Sequence, residues 1–477
     1  MVASEVKNLA MQTAKATDAH YPPQLRRRRL AFLLGGTPIM ESNPWVESVR
    51  ELLEVRPLGC LTTDFSDAAG ACGGARVTRK PRNRACGSSF KSGMDSLIPS
   101  GDLAPFREDA TLLAALRDLL PNIADRAAVL DAGEDLLPTE DVAALGSAGL
   151  LAAPFPAAFA GQGWGSEARG AEALFESLRL IGRASLPLGR LYEGHVNAVR
   201  LVARHGTHEQ LRAAAEAARA GRLFGVWNTE RPGINLRIDA AGVLRGGKVL
   251  CSGAGLVERA LVTGRHGGQG PQQMLLVPLE RGTARADTAE WCVTGMRASA
   301  TGTVLFDGID ASPALRLGGP NAYLGQPGFS GGAWRFLAVH LGGVEGLAEA
   351  LRQHHRRTGR GEDPHQAARF GQVLAAAETA RLWTLNAARI AEEEAAPPER
   401  IIAYVDLARG AVERAALDVL ELVQRSIGLQ AFTRANPVER LARDLATYLR
   451  QPAPDRALVA AAAAGLGFED CVGDMWT

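Results

Sequence analysis

The sequence predicts a mainly α-helical chain with a β-domain in its middle, and three observations point to this. Apolar residues recur at helical spacing over residues 101–220 and again after about 330. Between about 222 and 310 they fall instead into short β-branched runs separated by glycine pairs. Helices, strands and helices in that order divide the 477-residue chain into an N-terminal helical domain (94–221), a middle β-domain of small barrel or sandwich type (222–325) and a C-terminal four-helix bundle (326–477).

Residues 1–93 read differently. They carry the block Arg26 to Arg29, a second basic cluster around Arg76 to Arg84, and glycines about Cys72, with no sustained period. That composition predicts a disordered extension, with Met94 a candidate natural start. From there on, Leu112, Leu113, Leu116, Leu119 and Leu120 mark a first helix. Asp141 to Leu150 reads as a second, followed by the Gly161-Gln162-Gly163-Trp164-Gly165 turn. Residues 166–182 and 194–220 supply more amphipathic helices, the latter broken near His205-Gly206-Thr207. In the β-domain, Val243-Leu244 and Val249-Leu250 flank Gly246-Gly247 as a predicted hairpin. Leu261-Val262, Met274 to Val277 and Val304 to Phe306 are further strands. Long helices follow over 333–356, 364–395, 399–427 and 437–449, where Gly342-Gly343 predicts a close helix contact, and Asp455 to Ala464 forms a short alanine-rich helix.

Composition narrows the function. Fifty-three basic against fifty-two acidic residues give a net charge near +1, so no global field draws the chain to nucleic acid or anionic lipid. No apolar run approaches the ~20 residues of a membrane span. The six cysteines have no zinc-ligand spacing and suit a cytoplasmic chain without disulfides. His195, His205 and His208 show no metal spacing, and His354-His355 reads as a solvated pair, so no metal is expected. After Lys91 only one lysine remains, Lys248.

The chemistry-bearing segments come in a fixed order: Trp227-Asn228-Thr229-Glu230, Gly247-Lys248 through Ser252-Gly253-Ala254, Gly295-Met296-Arg297-Ala298-Ser299, and Arg443-Asp444 through Tyr448. Short hydroxyl side chains on rigid strands suit the polar edge of a flavin ring. In this order and between helical flanks, the segments resemble those of the acyl-CoA dehydrogenase superfamily. That resemblance implies FAD, with Thr229 and Ser252 hydrogen-bonding the ring and Trp227 and Leu250 lining it. It also implies that Arg356, Arg425 and Gly428 hold the adenine-diphosphate end of a neighbouring subunit's cofactor, hence a homodimer or homotetramer. The role of Arg297 stays open between structure and catalysis, and Arg231, inserted before Pro232-Gly233, alters the pyrophosphate side.

The implied reaction is FAD-dependent oxidation of a CH–CH bond in an acyl thioester, with electrons passing to an acceptor. Such chemistry needs a carboxylate base, whose loss costs ~10²–10⁴ in rate. The two places where the family carries that Glu fall here at Pro452 and Trp334, neither of which takes a proton. No catalytic residue is therefore assigned, and Asp455 and Glu345 are the remaining acids considered. An alternative is a two-component monooxygenase of the same fold, fed reduced flavin by a partner reductase. That branch usually carries a histidine where this chain has Arg450-Gln451. A third reading is a binding or scaffold protein that kept the fold without catalysis.

Overall fold

A computed structural model describes residues 109–133, 137–282, 284–393 and 396–476. The disordered extension expected over 1–93 lies outside them. The first helix, α1 (Asp109–Ala132), buries Leu112, Leu116, Leu120 and Ile123, the three- and four-residue steps of one helical face. Helix α2 spans Thr139–Ser147. Helices α3 (Ala171–Ala184) and α4 (Leu186–His205) are separated by Ser185 alone. Ser185 is extended, and its side chain accepts the Leu188 N–H to start α4 eight residues earlier than the periodicity suggests. The break near 206 is real: Thr207 and Gln210 form a reciprocal capping box that opens α5 (His208–Arg219).

Among the described residues the β-region holds nine strands: β1 (Phe224–Trp227), β2 (Arg237–Ile238), β3 (Leu244–Arg245), β4 (Gly247–Cys251), β5 (Arg259–His266), β6 (Gln272–Pro278), β7 (Ala286–Asp287), β8 (Gly302–Leu305) and β9 (Arg316–Leu317). They form two sheets, with no closed barrel among the described residues. One runs β3-β2-β5-β6-β9 with β1 alongside β5, and the other β4-β8-β7. The expected 243–250 hairpin does not form. β3 pairs antiparallel with β2, whereas β4 pairs with β8 in the other sheet. Gly246, at φ 90°, turns the chain between the sheets, and any side chain there would overlap the Asn235 carbonyl. The glycine pair is a crossing point.

After the short turn of helix α6 (Gly328–Gly331) come α7 (Trp334–Thr358), α8 (Pro364–Glu393), α9 (Pro398–Ile427), α10 (Pro437–Tyr448) and α11 (Pro454–Gly467). Helices α7 to α10 form the bundle. Leu337, Leu341, Val344, Leu347 and Leu351 of α7 are buried, each side chain worth about 1.5–3 kcal/mol on removal from water. The close contact expected at Gly342 is made with α3 across the domain junction: a Cβ at Gly182 would lie 2.5 Å from the Val339 carbonyl oxygen. Bundle and N-terminal helices therefore share one core. Among the described residues no helix is long and apolar enough to cross a membrane.

Candidate active site

Where the three regions meet, a cavity of about 500 Å³ opens. Its walls come from α4 (Glu193, Asn197), β1 (Val226), the 322–336 segment (Tyr323, Phe329, Arg335, Phe336), α9 (Arg409) and the residues after α10 (Gln451, Pro452). Pro452, where the resemblance would put a carboxylate, thus faces the cavity, and it carries no proton to exchange. Trp334 is fully buried, and its indole N–H donates to Glu392 at 2.9 Å. Neither acid named from sequence fills the gap. Glu345 pairs with Arg179 at 2.5 Å and Asp455 is exposed on α11, and neither lines the cavity.

The four β-domain residues predicted to face a flavin gather at one edge. Val249 N–H donates to the Thr229 carbonyl at 3.0 Å, tying the segment after β1 to β4. A register shift between Lys248 and Cys251 bulges β4, leaving Leu250 at φ 54° with its side chain 57% exposed. A left-handed conformation is unusual for an apolar residue without a glycine's freedom. Thr229 is exposed beside it. Trp227 is buried, and its indole N–H donates to the Ser252 carbonyl at 3.0 Å, so it braces Ser252 from beneath. The Ser252 hydroxyl accepts from Thr301 Oγ1 at 3.3 Å and from Arg190 Nε at 3.4 Å. The Thr301 hydroxyl also lies 2.9 Å from Ser299 Oγ, which donates to the Met296 carbonyl, so the three hydroxyls form one chain.

A buried ion pair secures this edge. Lys248 has no exposed surface, and its ammonium donates to Glu230 at 2.5 Å and to Thr263 at 3.3 Å. Burial lowers the Lys248 pKa even though Glu230 works against that. The one lysine retained after Lys91 is thus a tie between strands. His195 is also structural. Its Nε2 meets the Leu151 carbonyl at 2.8 Å and its Nδ1 accepts the Phe224 N–H at 3.1 Å, which fixes the tautomer.

The third and fourth motifs form a clamp. The Arg443 guanidinium grips Asp131 at 2.6 and 3.2 Å, and Asp444 accepts the Met296 N–H at 2.6 Å. Arg297 donates to the Asp131 and Gly133 carbonyls at the end of α1. Its role, open from sequence, is structural.

Arg356, Arg425 and Gly428 sit elsewhere. Arg356 is exposed in the last turn of α7, and Arg425, also exposed, lies 3.9 Å from Glu421 on α9. Gly428 ends α9 at φ 76°. Arg360 donates to the Ser426 carbonyl at 3.4 Å, so the two helix ends meet. Arg409 at the cavity and Arg425 are sixteen residues apart on α9, about 24 Å of helix. Within one chain these residues do not join the β-domain edge. The neighbouring His354 and His355 are buried instead of solvated, because the α7–α8 turn folds over them: Phe370 of α8 stacks edge-on to His355.

Polar residues not singled out from sequence line the cavity floor. Glu193 accepts from both Arg190 and Asn197, and Asn197 in turn accepts Arg335 Nε at 2.5 Å. Arg335 Nη1 reaches Glu392 at 2.9 Å, and Arg200 pairs with the same carboxylate. Burial, then Arg200, pulls the Arg335 pKa down to about 10 although Glu392 opposes the fall. Burial opposes the Arg190 charge, but Glu193 and Tyr448 outweigh it and its pKa is raised. The signal was present: Arg190, Glu193 and Asn197 stand at i, i+3 and i+7, a polar stripe on a helix whose other faces are apolar.

No protein-family model matches the chain. A dibenzothiophene monooxygenase from Rhodococcus erythropolis is 25% identical over 324 residues, 60% of this chain and 77% of that one. Another from Rhodococcus qingshengii is 24% identical over 342 residues, 64% and 81% of the two chains. FMN-bound TdsC from Paenibacillus sp. A11-2 superposes with a TM-score of 0.64 at 21% identity, covering 77% of this chain and all of that one. The fold is the acyl-CoA dehydrogenase fold. Methanesulfinate monooxygenase MsuC from Pseudomonas fluorescens shares this fold, with a TM-score of 0.63 at 21% identity over 76% of this chain and 99% of its own. KijD3, described in complex with FMN, also has this fold, with a TM-score of 0.63 at 20% identity over 79% of this chain and 98% of its own.

Proposed function

We propose that the protein is a flavin-dependent monooxygenase that receives reduced flavin from a partner reductase and places one oxygen atom of O₂ on a small molecule held in the cavity. The observation that carries this reading is the absence of a proton-accepting group at Pro452 and Trp334, in a fold whose dehydrogenases need a carboxylate there. The similarity to dibenzothiophene monooxygenases supports it over thioester oxidation. Bound reduced flavin would supply both the electrons and the activation of dioxygen. The residues present fit a flavin ring: Ser252 and Thr229 offer two hydroxyls and the exposed Leu250 offers an apolar face. Tyr323, Phe329 and Phe336 would hold an apolar substrate, and the Arg335–Glu392–Trp334 cluster closes the floor against water.

FMN is the form this reading favours, since TdsC and KijD3, which share the fold, are described with FMN. FAD, implied by the motif resemblance, would engage Arg356, Arg425 and Gly428 only from a second copy. A homodimer or homotetramer and a cytoplasmic setting belong to the same proposal. The test combines purified protein with a flavin reductase, NADH, FMN and dioxygen, and offers dibenzothiophene, indole and methanesulfinate as probes. A product heavier by one oxygen atom is expected. Anaerobic bleaching of bound FAD by an acyl-CoA panel would overturn the reading in favour of the dehydrogenase. Lack of affinity for flavin in either redox state would leave only the scaffold.

A further inference from the structure

Arg190 stands at the junction of three features. From α4 it reaches across to the β-domain, where its Nε–H donates to Ser252 Oγ at 3.4 Å. Its Nη1 pairs with Glu193, a carboxylate in the cavity wall. Tyr448 of α10 lies close enough to interact with both charges. A guanidinium paired with Glu193 therefore sits beside one of the two hydroxyls proposed to meet the ring. The oxidised isoalloxazine ring is neutral, whereas two-electron reduction leaves it anionic near neutral pH. A fixed cation beside the ring thus interacts differently with the two states.

We infer that Arg190 makes the flavin-facing edge of the β-domain prefer reduced over oxidised flavin, by placing positive charge beside Ser252. Glu193 tempers that preference. This rests on the flavin reading above and adds what that reading leaves unsaid: how the site selects the redox state in which a reductase delivers the flavin.

The experiment measures dissociation constants for FMN, oxidised in air and dithionite-reduced under anaerobic conditions, with the full-length protein and the variants Arg190→Met, Arg190→Lys and Glu193→Gln. For Arg190→Met, binding of reduced FMN weakens by about tenfold or more while oxidised FMN changes less than about threefold, as expected for loss of one nearby charge. Arg190→Lys retains most of the preference because the charge remains. Glu193→Gln, close in shape and removing only a negative charge, tightens reduced FMN selectively, so the inference stays testable if Arg190→Met does not fold. Equal changes for both redox states in Arg190→Met, or a Glu193→Gln preference that stays flat or reverses, would overturn the role of Arg190 while leaving the flavin reading intact. A wild-type protein that binds neither form overturns both.

Discussion

His195 shows how one residue can tie structure to pH. Its ring donates to Leu151 and accepts from Phe224, so protonation would put a second N–H against the Phe224 donor. Burial pulls its pKa from 6.5 to about 4, although the Leu151 carbonyl acts in the opposite direction. The folded state therefore binds the proton less readily than the unfolded chain, and stability is lost as pH falls from about 6.5 toward about 4. At about 1.4 kcal/mol per pKa unit, the full loss is on the order of 3 kcal/mol. His195→Gln is expected to be less stable at pH 7, because the Phe224 N–H loses its acceptor, yet to show a shallower fall in urea midpoint between pH 6.5 and 4. Parallel slopes for the two proteins would disprove the assignment. What sequence reveals at this scale depends on locality. Thr229 and Ser252 could be singled out because each sits in a short motif next to a strand, and the Arg190–Glu193–Asn197 stripe lay within one helix. Glu392 could not, since its partners Arg200 and Arg335 lie on other elements and only folding shows which charge meets which.

Between elements, the Arg443–Asp444 clamp fixes the geometry of the site. Asp131 at the end of α1, the 294–299 turn and α10 are drawn together by one guanidinium and one carboxylate. Gly295 permits it, because a Cβ there would overlap the Arg443 carbonyl on the backbone of α10. Gly295→Ala must push α10 from the turn, and the expected cost is about 2–4 kcal/mol, at the high end for a single substitution. Because Tyr448 ends that helix and Pro452 follows it, the variant should also weaken flavin binding; thermal melting and FMN titration report the two effects. A melting temperature equal to wild type would show that the contact is slack. The helices were readable from their periodicity, since their contacts repeat every turn. The 243–250 hairpin was misread because a Gly-Gly step suits a tight turn and a sheet crossing equally, and only the pairing of β4 with β8 decides between them.

At the scale of the whole molecule, the helix ends bearing Arg356 and Arg425 lie far from the cavity along the bundle, whereas a flavin ring would lie at the β-domain edge. If FMN is the cofactor, no part of it spans that distance in one chain, and screening at physiological salt, with a Debye length of about 8 Å, removes any long-range effect of exposed charges. Arg356→Ala combined with Arg425→Ala is therefore expected to change FMN affinity less than about twofold. FAD carries an extra adenine diphosphate, which these arginines would meet only where a second copy brings them to the first copy's β-domain. In that case FAD affinity falls in the double variant and, in wild type, depends on protein concentration through assembly. Comparing FMN and FAD titrations at two protein concentrations, with sedimentation to record assembly, separates the cases: a loss of FMN affinity alongside FAD would show that the two ends of the bundle communicate, and that the cavity is not the self-sufficient site its lining describes.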